Sequence, residues 1–365
     1  MTSRRQFMAM AGATAAAPLI TPWSSTALAQ SGEPFKVGFI YLGPAKDGGW
    51  TEGHDRARQK MEANFGGKVK TTFVENVPES ADAERVVERL VREGNKLIFS
   101  TSFGYMDPII KVARNYPDTV FMNCASYKTA PNVGTYNMRL YDGAYLLGVV
   151  AGLMSKTGTI GFLASFPLPA VFLTVNGYTL GARSVNPKIK TKVVWVSSWY
   201  DPAKERQAAE TLISQGADCL AQITDSPAAL IAAQEKGVYA FGWDTDMQRH
   251  GPKAHLTAAT TDWSIVYTDT AKQVMAGSWK TVQILGGAKD GWLQMSPLNP
   301  AIPAAAAKVY EEKKAALSSG KLLPFAGPVN DNTGAVKFAA GTTPADKELY
   351  STNWFVEGIE GTPPK

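Results

Sequence analysis

The stretch VGFIYLGP, Val37–Pro44, decides the fold class of this chain. Its first six residues are almost continuously apolar, which is typical of a strand buried on both faces of a parallel sheet. Gly43 and Pro44 end the strand, and a glycine-rich loop leads to a helix from about Thr51. A buried strand that runs into a helix is the unit from which parallel α/β sheets are built.

The elements that follow continue this alternation of strand and helix. Ser80 or Asp82 is expected to cap the next helix and Gly94 to end it, before a strand that starts at Leu97. The apolar side chains of that helix lie on one stripe: Ala83, Val86, Val87, Leu90 and Val91. The pattern therefore predicts an α/β fold with parallel sheets flanked by helices.

The chain repeats itself at an offset of 122 residues. LVREGNKL, Leu90–Leu97, has a counterpart in LISQGADC, Leu212–Cys219, and both consist of a helix end, a glycine and a strand start. The same offset pairs Ser102 with Thr224. Two similar α/β lobes predict a clamshell, because the carboxyl ends of the strands in both lobes would line one shared cleft.

The order of elements also predicts where the lobes begin and end. We expect the first lobe at residues 34–138 with a return over 253–290, and the second at 139–252 with a later segment over 291–330. The remaining residues, 331–365, are rich in Gly, Thr, Pro and Lys, which is typical of an irregular tail.

The first 29 residues are typical of an export signal. Arg4 and Arg5 form a twin-arginine pattern, and the Ala-rich apolar stretch after them is too short to span a membrane. Ala27-Leu28-Ala29 offers a cleavage site, and cleavage there leaves 336 residues with a net charge of +3. Because no Cys is near that site, we expect a periplasmic protein without a lipid anchor.

Composition excludes several other functions. The weak positive charge includes no Lys/Arg block of the kind that binds nucleic acid. Cys124 and Cys219 each lie in an apolar run, which favours two separate buried thiols over a disulfide. The spacing of His54, His250 and His255 fits no zinc pattern, so neither a metal nor a cofactor is expected.

Aromatic and acidic side chains collect at the predicted strand ends. Aromatic faces stack on flat rings, and a carboxylate accepts hydrogen bonds from ring N–H and amino groups. Such a set suits a nucleobase better than an anion. The alternatives are a Trp50 that packs on its own lobe and Asp225, Asp244 and Asp246 side chains that only cap helices. The candidate ligand-binding residues are Tyr41, Trp50, Phe103, Gly104, Trp199, Asp225, Trp243 and Asp246.

Over about residues 34–330 the chain resembles the basic-membrane-protein family of ABC transporter binding proteins, of the purine-nucleoside-receptor type. The segments that carry the resemblance are Lys36–Tyr41, Asp47–Trp50, Tyr145–Gly152, Gly177–Pro187, Trp199–Lys204 and Gly216–Asp218. The resemblance implies a type I periplasmic-binding-protein clamshell that holds a purine between two aromatic rings. Trp50 and Trp199 match those rings, and Asp246 matches an acid that contacts the ribose.

The chain departs from the family pattern at groups expected to hold the sugar. Gly48–Thr51 lacks the family Asn, Thr224–Ser226 replaces a Gly-rich turn, and Thr261 stands where the family has Lys. An acid is also missing from the strand Phe121–Ala125. We therefore hypothesise that the ligand is a free purine base such as adenine rather than a nucleoside, carried by a monomer to an inner-membrane ABC permease.

Three other functions remain open from the sequence. The chain could bind another small solute, or serve a signalling receptor instead of a permease. In another class, Asp225 and Asp246 could form the paired carboxylates of a hydrolase. No phosphate-binding loop, dinucleotide-binding glycine motif or nucleophile elbow accompanies them, so we predict that the protein is not an enzyme.

Overall fold

Two six-stranded sheets form the framework of the protein. The computed structural model describes residues 32–364, so the predicted export signal lies outside the described residues. From Pro34 onward the chain forms one compact unit that contains both sheets. None of the helices in the described part is long and apolar enough to cross a membrane.

The first sheet is entirely parallel. Its strands are β1 (Phe35–Ile40), β2 (Val69–Val74), β3 (Leu97–Ser100), β4 (Val120–Cys124), β5 (Val133–Met138) and β11 (Gln283–Gly286). They lie in the order β11-β5-β4-β3-β1-β2. Its helices are α1 (Trp50–Asn64), α2 (Ala81–Arg92), α3 (Met106–Ala113) and α8 (Ser264–Met275).

The second sheet repeats that order with an antiparallel edge strand. Its strands are β6 (Thr159–Ala164), β7 (Lys190–Trp195), β8 (Cys219–Gln222), β9 (Tyr239–Asp244), β10 (His255–Thr261) and β12 (Leu293–Met295). They lie in the order β12-β10-β9-β8-β6-β7, with only β12 antiparallel to its neighbour. Its helices are α4 (Leu140–Met154), α5 (Pro169–Arg183), α6 (Pro202–Ser214), α7 (Ala228–Lys236) and α9 (Ala304–Ser318).

The predicted start and end of α2 are confirmed. Ser80 caps α2 by accepting a hydrogen bond from the Asp82 N–H at 3.2 Å. Asp201 caps α6 in the other lobe, where its carboxylate accepts from the Lys204 N–H at 3.1 Å. Gly94, which follows α2, has a φ of +92°, a backbone conformation that favours glycine.

Strand β10 corrects the expected lobe boundary at residue 253. It pairs with β9 and β12 in the second sheet, so the return to the first lobe begins with α8 rather than at residue 253. The reason lies in the repeat, since β10 is the counterpart of β5 at the 122-residue offset. The chain crosses between the lobes three times, after β5, after β10 and after β11.

The C-terminal segment is less separate than its composition suggests. It contains only the short strands β13 (Val329–Asn330) and β14 (Val336–Phe338) and one turn of helix, α10 (Asp346–Leu349). Phe355 and Val356 are nevertheless buried in the core of the second lobe. We name residues 323–364 the C-terminal strap.

The long helices α4 and α5 pack unusually close together. A Cβ atom added at Gly148 would lie 1.9 Å from the Tyr178 carbonyl oxygen, and one at Gly181 would lie 1.9 Å from the Tyr145 carbonyl oxygen. Only glycine permits this contact between backbones. Gly148 and Gly181, in two of the segments that carry the family resemblance, therefore serve the packing of the second lobe. Cys124 on β4 and Cys219 on β8 are free buried thiols, as predicted.

Candidate functional site

The two lobes meet where the loop after β1 touches the second lobe. A Cβ atom at Gly49 would lie 2.5 Å from the carbonyl oxygen of Asp225, so only glycine fits there. The hydroxyl of Thr245 donates a hydrogen bond to the Gly48 carbonyl, and the Arg249 guanidinium lies 3.4 Å from the carboxylate of Glu52 on α1. The Gly-Gly pair thus lets the first lobe close onto the second.

Beside this contact a cavity of about 620 Å³ lies between the lobes. This volume is typical of a site for a small organic molecule. The ends of strands in both sheets line it, as the clamshell prediction requires. Four of the eight candidate residues line the cavity: Trp50, Phe103, Trp199 and Asp225.

Trp50 stands at the start of α1 in a fixed orientation. Its indole N–H donates to the Thr101 carbonyl at 2.7 Å. The ring meets the edge of His54, with ring centroids 4.6 Å apart, and His54 in turn stacks on Trp263 at 4.6 Å. Burial lowers the pKa of His54 well below its ordinary value, so the imidazole is neutral in this aromatic cluster. The cluster therefore holds the Trp50 ring rigidly against the cavity.

Trp199 occupies the corresponding wall of the second lobe. Its ring packs on Phe166 with centroids 5.3 Å apart, and its carbonyl accepts the N–H of Asp225 at 3.0 Å. Glu205 ties the neighbouring loops together, because its carboxylate accepts from the Asp201 N–H at 3.0 Å and from the Ser226 hydroxyl at 2.7 Å. The buried Glu205 thus fixes Trp199 and Asp225 relative to each other.

Asp225 is an acid in an environment that opposes its charge. It is 7% exposed, and burial raises its pKa well above the ordinary value, with the charges of Asp47, Asp244 and Glu205 adding to the shift. The backbone N–H of Trp50 works in the opposite direction. Asp225 is therefore close both to Trp50 of the first lobe and to Asp244 of the second lobe.

Asp244, the last residue of β9, is the most unusual polar group of the cavity. It is 2% exposed, and neither of its carboxylate oxygens receives a hydrogen bond from the described residues. Burial raises its pKa well above the ordinary value, and the charge of Asp47 adds to this. Asp47 itself is fully engaged, because it accepts the backbone N–H groups of Gly49, Thr51 and Glu52 at 2.9–3.0 Å. Buried carboxylates without partners are costly, so Asp244 is prepared to accept donors from a ligand.

The other four candidate residues are not among those that line the cavity. Tyr41 is fully buried in the first lobe, where its hydroxyl donates to Asp55 at 3.2 Å. Trp243 is 2% exposed in the core of the second lobe. Gly104 gives its N–H to the Glu79 carboxylate at 2.8 Å. The carboxylate of Asp246 accepts the Gln248 N–H at 3.0 Å, beside a short helical turn.

Alternation along a strand explains the position of Trp243. Successive side chains point to opposite faces of a sheet, so Trp243 enters the core whereas Asp244, next to it, reaches the cavity. Asp246, and not Asp244, was among the residues predicted to bind ligand. The strand end at Asp244 could have indicated that this residue lines the cavity, since ligands bind beyond the carboxyl ends of strands.

Several lining residues were not predicted at all. They include Leu42, Asn137, Leu140, Ile284, Leu285 and Tyr350. Tyr350 belongs to the C-terminal strap, for which composition gives no functional signal. Among residues 32–364, no group of three or more His, Cys, Asp and Glu side chains is placed to hold a metal ion.

Comparisons with known proteins identify related chains. Residues 35–322 match the family model described as Bmp, ABC transporter substrate-binding protein PnrA-like. A purine-binding protein of Brucella abortus is 46% identical over 337 residues, which cover 92% of this chain and 96% of the relative. A protein of Haloferax volcanii named as an ABC transporter glucose-binding protein is 36% identical over 91% of this chain and 82% of its own length.

Solved structures share the fold at lower sequence identity. A solute-binding protein of an ABC transporter system from Aeropyrum pernix superposes with a TM-score of 0.69 at 19% identity, covering 87% of this chain and 96% of that one. A counterpart from Conexibacter woesei gives a TM-score of 0.66 at 22% identity, over 79% and 98% of the two chains. Both likenesses show a two-lobed solute-binding fold.

Proposed function

This chain belongs to the Bmp family of PnrA-like ABC transporter substrate-binding proteins, and on that premise we propose that it binds a purine in the cavity between its lobes. Proteins of this family bind small molecules and work with an ABC permease, and they are non-enzymatic parts of a transporter. The hydrolase alternative is therefore dropped. We further propose that the protein is a monomer exported to the periplasm by the twin-arginine route.

The single observation that carries the purine proposal is Asp244. A purine presents N–H donors at the edge of a flat ring, and a buried carboxylate with two free oxygens complements such an edge. Trp50 and Trp199 line the same cavity and supply flat surfaces from opposite lobes. A base–aromatic stack contributes about 1–3 kcal/mol in other proteins. The purine-binding relative from Brucella abortus supports the same ligand class.

A sugar is the rival ligand, because the relative from Haloferax volcanii is named as a glucose-binding protein. A sugar carries many hydroxyl groups, each of which needs a partner when buried. The wall here is largely apolar, with Leu42, Leu168, Ile223 and Ile284 among the lining residues. This wall favours a flat heteroaromatic ring over a polyhydroxylated one.

Within the purines we favour a base such as adenine over a nucleoside. The family residues that would contact the ribose are replaced, including the position of Thr261. Thr261 lies 3.5 Å from the Asp244 carbonyl and carries no charge. Deleting sugar contacts while keeping both aromatic rings shifts the balance of affinity toward the base.

Calorimetry on the exported chain, stripped of ligand by unfolding and refolding, tests the proposal. Adenine, hypoxanthine, guanine, adenosine and glucose form the panel, and refolding removes any ligand that survived purification. We expect saturable binding of at least one purine and none of glucose. Glucose binding without purine binding would overturn the ligand class, and adenosine binding as tightly as adenine would overturn the preference for a base.

A further inference from the structure

The cavity extends well beyond Trp50 and the two acids. It follows the carboxyl edge of the first sheet from Leu42 after β1 to Leu285 on β11. Four strand-to-strand steps separate β1 from β11, and each step is about 4.8 Å, so this edge is about 19 Å long. A fused two-ring base spans only part of that length.

The volume of the cavity also indicates that a purine base fills only part of it. A water molecule takes about 30 Å³ in the liquid, so about ten non-hydrogen atoms, as in adenine, need at most about 300 Å³. The cavity has about 620 Å³. Roughly half of it is left for another part of the ligand.

The C-terminal strap covers the distant end of this space. Asp346 binds the Arg139 guanidinium at 2.8 and 3.2 Å, and the Tyr350 hydroxyl donates to the Met138 carbonyl at 3.2 Å. Both contacts attach the strap at the first crossover between the lobes. We name the distant end the strap compartment; its lining residues are Leu140, Ile284, Leu285, Lys347 and Tyr350.

The polar groups around the strap compartment are largely engaged within the protein. The Asn137 amide donates to the Ser126 carbonyl at 3.0 Å, and the Gln283 amide donates to the Tyr127 carbonyl at 2.8 Å. Asp346 is held by Arg139, as described. Lys347 is exposed and is the one charged lining residue of the compartment outside the Arg139–Asp346 pair. The rest of the surface, from Leu140, Ile284, Leu285 and Tyr350, is aliphatic and aromatic, which suits an apolar group better than a ribose.

We propose that the strap compartment receives an apolar substituent on the ring of the ligand, so that N-alkylated or N-arylated purines form the preferred ligand class. This inference rests on the proposed purine function. The strap lies beyond residue 322, where the match to the family model ends. By receiving this substituent, the strap determines ligand specificity in addition to packing against the second lobe.

Calorimetry with adenine, adenosine, N6-benzyladenine and 9-benzyladenine tests the inference on the refolded exported chain. At least one benzyl derivative is expected to bind about 10- to 100-fold tighter than adenine, as complete burial of a phenyl group predicts. Tyr350→Ala and Leu285→Ala should each remove much of that gain, measured as the ratio of benzyladenine affinity to adenine affinity in the same variant. Tyr350→Phe keeps the ring and should keep the gain.

Leu323→Ala is the matched control, because Leu323 begins the strap but is 47% exposed. Circular dichroism and the unfolding temperature of each variant show whether it is folded, and Leu285→Ala leaves the strap itself untouched. Adenine binding without a gain from either benzyl group would overturn this inference alone, as would a gain that survives both alanine variants. If none of the four ligands binds, both this inference and the purine proposal are overturned.

Discussion

The two lobes share a strand order but differ in what their strand ends carry. Ala125 follows β4 with a φ of +57°, and Asp244 ends β9, the equivalent strand of the other lobe, with a φ of +61°. Both line the cavity. A left-handed backbone is uncommon for residues other than glycine and often marks a functional site. The lobes thus keep the same strained backbone but present a methyl group in one and a carboxylate in the other.

The two lobes therefore contribute different chemical groups to the site. The first lobe offers an aromatic wall, because Trp50 is fixed by Thr101 and His54. The second lobe adds the acids Asp225 and Asp244 to its own Trp199. A duplicated frame therefore positions the site, and divergence at equivalent strand ends supplies its chemistry.

Removing the charge of Asp244 should have the largest effect on binding and so best tests whether the second lobe supplies the acidic groups. Asp244→Asn should lower purine affinity about 10- to 150-fold, because a hydrogen bond to a charged group contributes about 1.5–3 kcal/mol. Calorimetry measures the change. Asp246→Asn is the matched control, since that side chain is 39% exposed and outside the lining of the cavity. Equal losses in the two variants would show that Asp244 has no special role.

The aromatic walls form the next test. Trp50→Ala and Trp199→Ala should each cost about 1–3 kcal/mol of binding, the usual effect of deleting a base–aromatic stack. Tyr200→Ala, next to Trp199 but 39% exposed, is the control for changes in the loop. If neither tryptophan variant alters affinity in fluorescence or calorimetric titrations, the stacking model is wrong.

The acids should also make binding depend on pH. Burial raises the pKa of Asp225 and Asp244, so they take up protons at a higher pH than the ordinary Asp value of about 4. A protonated carboxyl group loses acceptor capacity for ligand N–H groups. Ligand affinity should therefore fall as the pH is lowered through the raised pKa values, so that the loss begins above about pH 4. The loss is at most about tenfold per pH unit for each proton taken up. Asp244→Asn should flatten the profile, whereas affinity that rises on acidification would contradict this assignment.

The last test concerns stability and not binding, and it compares the two lobes as structures. Asn176 on α5 donates to the Trp354 carbonyl at 2.9 Å and accepts the Val356 N–H at 3.0 Å, tying the C-terminal strap to the second lobe. Asn176→Ala should cost about 1–3 kcal/mol, because it leaves buried backbone groups without partners. Calorimetric unfolding measures this cost. The exposed Asn115→Ala in the first lobe should change little, and an equal shift in both would argue against a strap anchored at Asn176.

Much of the fold could be predicted from the sequence, because the sequence patterns that specify helices and strands are local. The apolar run at β1, the cap at Ser80 and the glycine after α2 each depend on residues a few positions apart. The site was harder to predict. Trp50 and Trp199 follow strands and were placed at the cleft, but Tyr41 turned inward to the core, because a residue at a strand end can face either way.

The sequence by itself determined the alternation of strands and helices, the duplication, and the loops that carry Trp50, Phe103, Trp199 and Asp225. Hydrophobic periodicity and turn residues encode these features over short distances. Only the tertiary structure decided that Asp244 rather than Asp246 reaches the cavity, and that Tyr350 joins its wall. Those outcomes depend on contacts between distant residues, such as Asn176 with Val356, 180 positions apart. No local pattern specifies a contact of that separation.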